Sequence, residues 1–487
     1  MMKRRWLFAD QLGPHFLDDP RQPVLLVVSK AVFRRRRYHR QKAHLVLSAL
    51  RHRAAELGDR AELVEVERYR DVVAGEELEV CHPTSRAARD FVLALPKVEV
   101  LPPRGFVTDP GDFVAWADGR AQLRMEDFYR MARRHHGVLM DGPEPAGGRW
   151  NWDADNRERP PRGVTELGVV PPEMPAEDAI DDAVRADLDR WEREDGISFV
   201  GRDGPRQFPV THDEARRRLD HFLTHRLPTF GPYEDAMLRG DPFMAHSLLS
   251  ASLNLGLLDP LEVVRGAERA YRDGTAPLAG VEGFCRQILG WRDFVWHNYW
   301  YLGDRQTHTN ALAAREPLPD WFLDLDADHV QAACLSDVLA GVRDRGWVHH
   351  IPRLMVLGNL ALQRGWDPEA VTDWFTRCFV DGYPWVMTPN VMGMSQYADG
   401  GLMTTKPYAA GGAYINRMSD YCGGCAFDPR HRNGEDACPY TGGYWAFLHR
   451  NRDRLAGNHR MAQPLAGLRR LDDIDEIVHA EGLRQGF

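Results

Sequence analysis

Residues 282–300 read EGFCRQILGWRDFVWHNYW. Apolar side chains return every three or four positions, so Phe284, Ile288, Trp291 and Val295 fall on one face of a helix. The same spacing recurs almost without a break from about residue 206 onward. WDPEAVTDWFTRCFV (366–380) carries its own start signal, with Asp367 as N-cap and Pro368 at the first helical position. The larger part of the chain is therefore a helical domain.

Upstream the pattern changes. RRWLFAD (4–10), PVLLVVSK (23–30), AELVEVER (61–68) and VEVLPP (98–103) are short apolar strands, and RQKAHLVLSALRHRAAEL (40–57) is helical. Strand and helix in alternation predict an α/β domain with a parallel, Rossmann-like sheet over 1–140. Neither G-x-G-x-x-G nor a P-loop pattern occurs, so nothing supports a dinucleotide or P-loop site. Residues 141–205, opening with DGPEPAGGRWNWDADNRERPPRG, are rich in Pro, Gly, Asp and Arg. They read as an interdomain linker with a few helical turns. The helical domain then occupies 206–487.

A chain of 487 residues exceeds one ordinary core, in keeping with two domains. No run of about 18 apolar residues exists, so no membrane span is expected. The start, MMKRRWLFADQLG, is broken by Asp10 and reads as a first strand rather than a signal peptide. A cytoplasmic monomer with reduced thiols is expected. The net charge of −9 argues against a generally basic nucleic-acid binder, although a local basic face is compatible with it. Lysine appears only at 3, 30, 42, 97 and 406, so nearly all cationic groups are arginines.

Three of the seven cysteines, Cys422, Cys425 and Cys438, fall within seventeen residues in DYCGGCAFDPRHRNGEDACPY (420–440). Gly423 and Gly424 let the C-x2-C turn bring two thiolates to one centre. A fourth ligand completes either tetrahedral zinc or a [4Fe–4S] cluster, and His431, Cys285, Cys334 and Cys378 are the candidates. Elsewhere, His349 and His350 precede IPRLMVLGN, and paired histidines suit acid–base chemistry or a metal as well as a core hydrogen bond. The tryptophans at 291, 296, 300, 347, 366, 374, 385 and 445 crowd the helical domain and read first as core.

FGPYEDAM (230–237), HSLLSASLNLGLLDP (246–260), VEGFCRQILGWRDFVW (281–296), HHIPRLMVLGNLAL (349–362) and PNVMGMSQYADGGLMTTKPYAAGGAYINRMSDYCGGCAFDP (389–429) resemble the photolyase/cryptochrome superfamily. The resemblance is to its bacterial iron–sulfur branch, which contains (6-4) photolyases and related cryptochromes. It implies a [4Fe–4S] cluster on Cys334, Cys422, Cys425 and Cys438. It also implies FAD in the helical domain, with Tyr233 touching the cofactor, Ser247 and Ser250 at its phosphates, Arg353 and Asp381 at the isoalloxazine ring, and Gln287 and Asn390 lining the pocket. His349, His350 and Tyr408 match lesion-facing positions, where a group titrating near neutrality would deliver a proton. The implied partner is UV-damaged DNA. The implied activity is light-driven reversal of pyrimidine (6-4) photoproducts, with a blue-light photoreceptor as the alternative. Arginines such as Arg216, Arg217 and Arg218, or those after His449, would meet DNA phosphates.

The chain departs from the family pattern at several positions. Met387 stands where relatives often have an acid near flavin N5. Trp374 matches the aromatic electron relay, but Phe375 replaces a tyrosine and Asp326 a tryptophan. A ribityllumazine antenna pocket would meet Val32 and Arg34 to Arg37 where relatives have acidic residues.

Overall fold

The computed structural model describes residues 2–487. Five strands, β1 (Arg4–Leu7), β2 (Val24–Ser29), β3 (Ala61–Val66), β4 (Leu78–Cys81) and β5 (Val98–Leu101), form one parallel sheet in the order β3-β2-β1-β4-β5. Every residue of β2, VLLVVS, is buried, as expected of a parallel strand covered on both faces. Trp6, Leu25 and Val80 pack on one side of the sheet. Leu7, Leu26 and Val28 pack on the other, with Leu45 and Leu50 of the Arg40–Leu57 helix. β4 has no counterpart in the sequence reading: LEVC is only four residues long and follows two glutamates, which hides its apolar character.

Residues 141–205 hold more regular structure than a few turns. The helix Ala179–Glu194 starts with a capping box between Asp178 and Asp181 and buries Val184, Leu188 and Trp191 in the sheet domain's core. Its outer face is tied to the Arg40–Leu57 helix through Arg40 to Glu192 (2.7 Å) and Arg51 to Asp187. Proline-rich surroundings mask this element in the sequence. The segment before it, 157–178, has no helix or strand.

The remainder is helical, and the Asp367 cap is present, its carboxylate accepting from Ala370 N at 2.9 Å. Besides Phe222–Arg226, three helical runs contain wider π turns: Arg286–Arg292, Pro352–Gly358 and Thr388–Ser395. Such one-turn bulges re-aim side chains and are frequent at functional sites.

The arginine-rich stretch after β2 joins the two domains. Arg36 pairs with Asp373 at 2.7 Å and Arg37 with Asp324, while Arg34 turns back to Glu67. His39 N donates to Arg377 O (2.9 Å), and His39 Nε2 sits 3.0 Å from Arg343 O. Buried Lys42 donates to Thr376 O at 2.7 Å and to Gly382 O. Its ammonium, desolvated by burial, is pulled down to about 7.

Limited trypsin digestion checks the docked helix. Cleavage after exposed Arg162 should precede any after Arg185, Arg190 or Arg193, whose backbone is helical and packed. Equal rates at these sites would mean the Ala179–Glu194 helix is a loose linker.

Candidate functional site

A cavity of about 540 Å³, a volume typical of sites for bound small molecules, lies mainly among the helices after residue 206 and is closed on one side by Met125, Glu126, Asn151, Asp153 and Arg157. The three π turns supply much of its wall: Gln287, Ile288 and Trp291 from the first, Arg353 and Leu354 from the second, Asn390 and Met394 from the third. Phe284, Ile288, Trp291 and Val295, read from the sequence as one face of a helix, all line this cavity.

Asp381 organises one end. Its carboxylate takes a bidentate pair from Arg353 (2.8 and 3.0 Å) and a hydrogen bond from Ser250 Oγ (2.6 Å). Its backbone carbonyl accepts from Asn254 Nδ2 at 3.0 Å. Burial pushes the Asp381 carboxyl up, but the Arg353 charge and the bonds from Arg353 and Ser250 outweigh it, so the group is held below the ordinary carboxylate range. Ser250 thus serves the carboxylate rather than standing free. Ser247 and Ser250 flank Leu248, whose φ of +56° is a left-handed conformation that costs about 1–3 kcal/mol outside glycine.

His349 and His350 line the same cavity, as does Tyr408. His349 stacks on His246 with ring centroids 4.3 Å apart, and neither His349 Nδ1 nor His246 Nε2 has a protein partner. His350 is open to the cavity while enclosed by protein. Desolvation, then the Arg353 guanidinium, lower it to about 4. Desolvation and the charges of His246, His350 and Arg353 hold His349 well below the usual histidine range. Because His350 reaches the cavity, the Arg353 charge is the part of its lowering that persists when water fills the space. Desolvation first, and the Arg353 charge after it, thus lower both rings from the ordinary histidine range. Tyr408 is pushed up by burial and keeps its O–H.

Gln287, Asn390, Phe375 and Met387 also line the cavity. Tyr233 does not; its half-buried ring packs on Ala236, Leu238 and Met244. Trp374 lies one layer behind Phe375, ring centroids 5.0 Å apart, and donates to Phe322 O at 3.0 Å. Asp326 is exposed. The sequence reading missed Glu234, Arg286, Asp153 and Trp347 on the walls. Glu234 sits inside the quoted FGPYEDAM, directly after the tyrosine that drew attention.

Cys334, Cys422, Cys425 and Cys438 line one small cavity together with Tyr421, Phe427 and Tyr440. Among the described residues all seven cysteines are free. Cys425 Sγ accepts N–H bonds from Ala333 (3.4 Å) and Phe427 (3.5 Å), contacts that suit a thiolate. No three of these sulfurs lie within 4.8 Å of one another among the described residues. Tetrahedral zinc, with Zn–S near 2.3 Å, would need sulfurs about 3.8 Å apart. Of the other candidates for the fourth ligand, His431 is exposed and paired with Asp436, and Cys285 and Cys378 are buried elsewhere.

A sheet domain joined to a helical domain around such a cavity is the architecture of the photolyase/cryptochrome class. Two solved structures share the fold. They are a bacterial class III photolyase from Agrobacterium tumefaciens (TM-score 0.54, 16% identity, 84% of this chain and 82% of that one) and a Synechocystis cryptochrome (TM-score 0.52, 13%, 80% and 82%). Residues 5–195 match the family model for deoxyribodipyrimidine photo-lyase-related protein. The chain is 39% identical to a (6-4) photolyase of Agrobacterium fabrum, over 98% of this chain and 97% of that protein. It belongs to the photolyase family.

Arg353→Ala checks the organising pair. It leaves Asp381 a buried carboxylate without its counter-charge, which should cost about 3–5 kcal/mol. Urea denaturation of the two proteins measures this; an unchanged midpoint would mean the pair does not organise the site.

Proposed function

We propose that this protein is a light-driven DNA-repair flavoenzyme that reverses pyrimidine (6-4) photoproducts. The observation that carries this reading is one cavity in which the Asp381–Arg353–Ser250 network and the His349, His350 and Tyr408 side chains meet. The chain-long similarity to a (6-4) photolyase supports it.

The cavity's donor set fits FAD. Arg353 and Asp381 would hold its ring system, Ser247 its phosphates, and Gln287 and Asn390 its remaining edges. FAD, when bound and reduced, supplies the electron that light drives into the damaged base. The chain's own groups supply the rest. His350 meets the base as a neutral imidazole with one N–H to donate, and Tyr408 offers its O–H. Preorganised donors aimed at developing charge hold it in place while bonds rearrange. A damaged pair resists flipping into such a cavity least. Exposed Arg216, Arg217, Arg452 and Arg454 would contact DNA phosphates. Arg218 is buried and donates to Glu173 O and Gln207 O, so it leaves the set named from sequence; Arg450 likewise donates inward to Leu362 O and Gln363 O.

Cys334, Cys422, Cys425 and Cys438 would hold a [4Fe–4S] cluster. Four converging thiols, N–H bonds to sulfur and a spacing too wide for zinc support this. Arg36 and Arg37 are committed to carboxylates of the helical domain and Arg34 to Glu67 of the sheet domain, which argues against contact with an antenna chromophore. Free thiols throughout suit the reducing cytoplasm, and no helix among the described residues is long and apolar enough to cross a membrane.

Protein purified without oxygen should hold about four irons per chain. One zinc and no iron would contradict the cluster. For the activity, reduced protein is illuminated with DNA carrying a defined (6-4) or cyclobutane lesion. The (6-4) lesion should be repaired, and His350→Ala should lower that rate roughly 10²–10³-fold with flavin retained. Repair of neither lesion, with a flavin that still responds to light, would favour a photoreceptor role instead.

A further inference from the structure

Glu234 is a cavity residue outside the Asp381 network. Its side chain lines the cavity, is 9% exposed, and its Oε2 has no hydrogen-bond partner in the protein. The carboxyl is held in position: a Cβ on Gly283 would stand 3.2 Å from Glu234 Oε2 and 2.6 Å from Asn156 Nδ2, so only glycine leaves room for both.

The charges around it are unbalanced. From the 278–302 helical run, Arg286 faces Glu234 at 3.8 Å through Nη2, which has no hydrogen-bond partner in the protein, while its Nη1 donates to Asp153 (2.9 Å) and its Nε lies 3.3 Å from Glu282. Asp235 lies alongside, and Arg157, the other nearby cation, pairs with Asp153. Four carboxyl groups thus share two guanidinium groups. Burial, reinforced by the charges of Asp235, Asp153 and Glu282 and opposed by Arg286, raises Glu234 to about 8. At neutral pH it therefore carries an O–H that no protein atom accepts. The charges of Glu126, Arg157, Asp153 and Asp235 also act on Tyr408, which places this acid toward the Tyr408 end of the cavity, whereas the Arg353 charge acts on the histidines.

We propose that Glu234 is a specificity residue that donates a hydrogen bond to an acceptor atom on the edge of the flipped, damaged base. This rests on the repair reading above. A neutral acid suits the task, since it supplies a donor without adding negative charge where DNA must approach. Leaving the base acceptor or the carboxyl unpaired in the closed complex would cost about a factor of ten in affinity.

The test is the affinity of the FAD-loaded protein for duplex DNA with one (6-4) lesion, measured in the dark by fluorescence anisotropy from pH 6.5 to 9. As pH rises through the carboxyl's pKa the donor is lost and a charge appears. Binding by the parent should weaken roughly tenfold by pH 9. Glu234→Gln keeps an N–H donor; it should bind within about threefold of the parent at pH 7 and show no such limb. Glu234→Ala should bind roughly tenfold more weakly at pH 7. The ratio of parent to Glu234→Gln cancels titration of the DNA itself. A parent that prefers lesion DNA with the same pH profile as Glu234→Gln overturns this inference alone. Loss of flavin from Glu234→Gln would assign the acid to the cofactor and also overturn it. A parent with no preference for lesion DNA at pH 6.5 overturns the repair reading, and this inference with it.

Discussion

The Asp381–Arg353 pair is the constraint on which the rest of the structure depends. A buried carboxylate is tolerable only with a close counter-charge and filled lone pairs. Here both are supplied at 2.6–3.0 Å by Ser250 and Arg353. These donors come from segments far apart in sequence, so the pair fixes the 250–254 turn, the Pro352–Gly358 turn and the loop after the Pro368–Cys378 helix against one another. The sheet domain reaches the same corner, since Lys42 donates to Thr376 O and to Gly382 O, next to Asp381. The ionic contact thereby sets one end of the cavity, beside the loop on which Lys42 of the sheet domain is seated.

The cavity is chemically polarised. Around Arg353 the field is positive, and three histidines, His246, His349 and His350, are kept neutral by burial and by that charge. Around Arg286 carboxylates outnumber cations, and one of them, Glu234, is raised by burial and by its acidic neighbours. Both ends therefore offer uncharged donors close to fixed charges, an arrangement that polarises a bound heterocycle without putting a mobile ion beside it. The four thiols stand outside this cavity. Cys334 begins the Ala333–Arg345 helix, and Cys438 caps the Pro439–Leu455 helix, so whatever they hold ties the last helices to the middle of the domain.

Much of this was legible in the sequence, for definite reasons. The strands around Leu25, Leu63 and Val100 and the helix Arg40–Leu57 announce themselves by periodicity, and Asp367 and Pro368 mark a helix start. The cysteine spacing, with the resemblance, brought out four residues that do converge. What was hidden depends on tertiary context. LEVC is too short and too acidic in its flanks to read as a strand. The helix at 179–194 lies in a proline-rich segment and becomes core only because Trp191 meets the sheet domain. Tyr233 and Arg218 have the right residue types but point into packing rather than into the cavity or solvent. The lowering of His350 and the raising of Glu234 follow first from burial and then from neighbouring charges, Arg353 for the one and Asp235, Asp153 and Glu282 for the other, and no local pattern encodes burial.

The central claim is that the Asp381-centred network exists to hold a flavin. The most direct measurement is the amount of FAD released on denaturation per protein chain, in the parent and in Asp381→Asn. That variant keeps the side chain's shape but loses the charge that Arg353 requires. The account predicts close to one FAD per chain in the parent and little in the variant, with both proteins folded by circular dichroism. A parent with no bound flavin, or a folded variant with full occupancy, would contradict it.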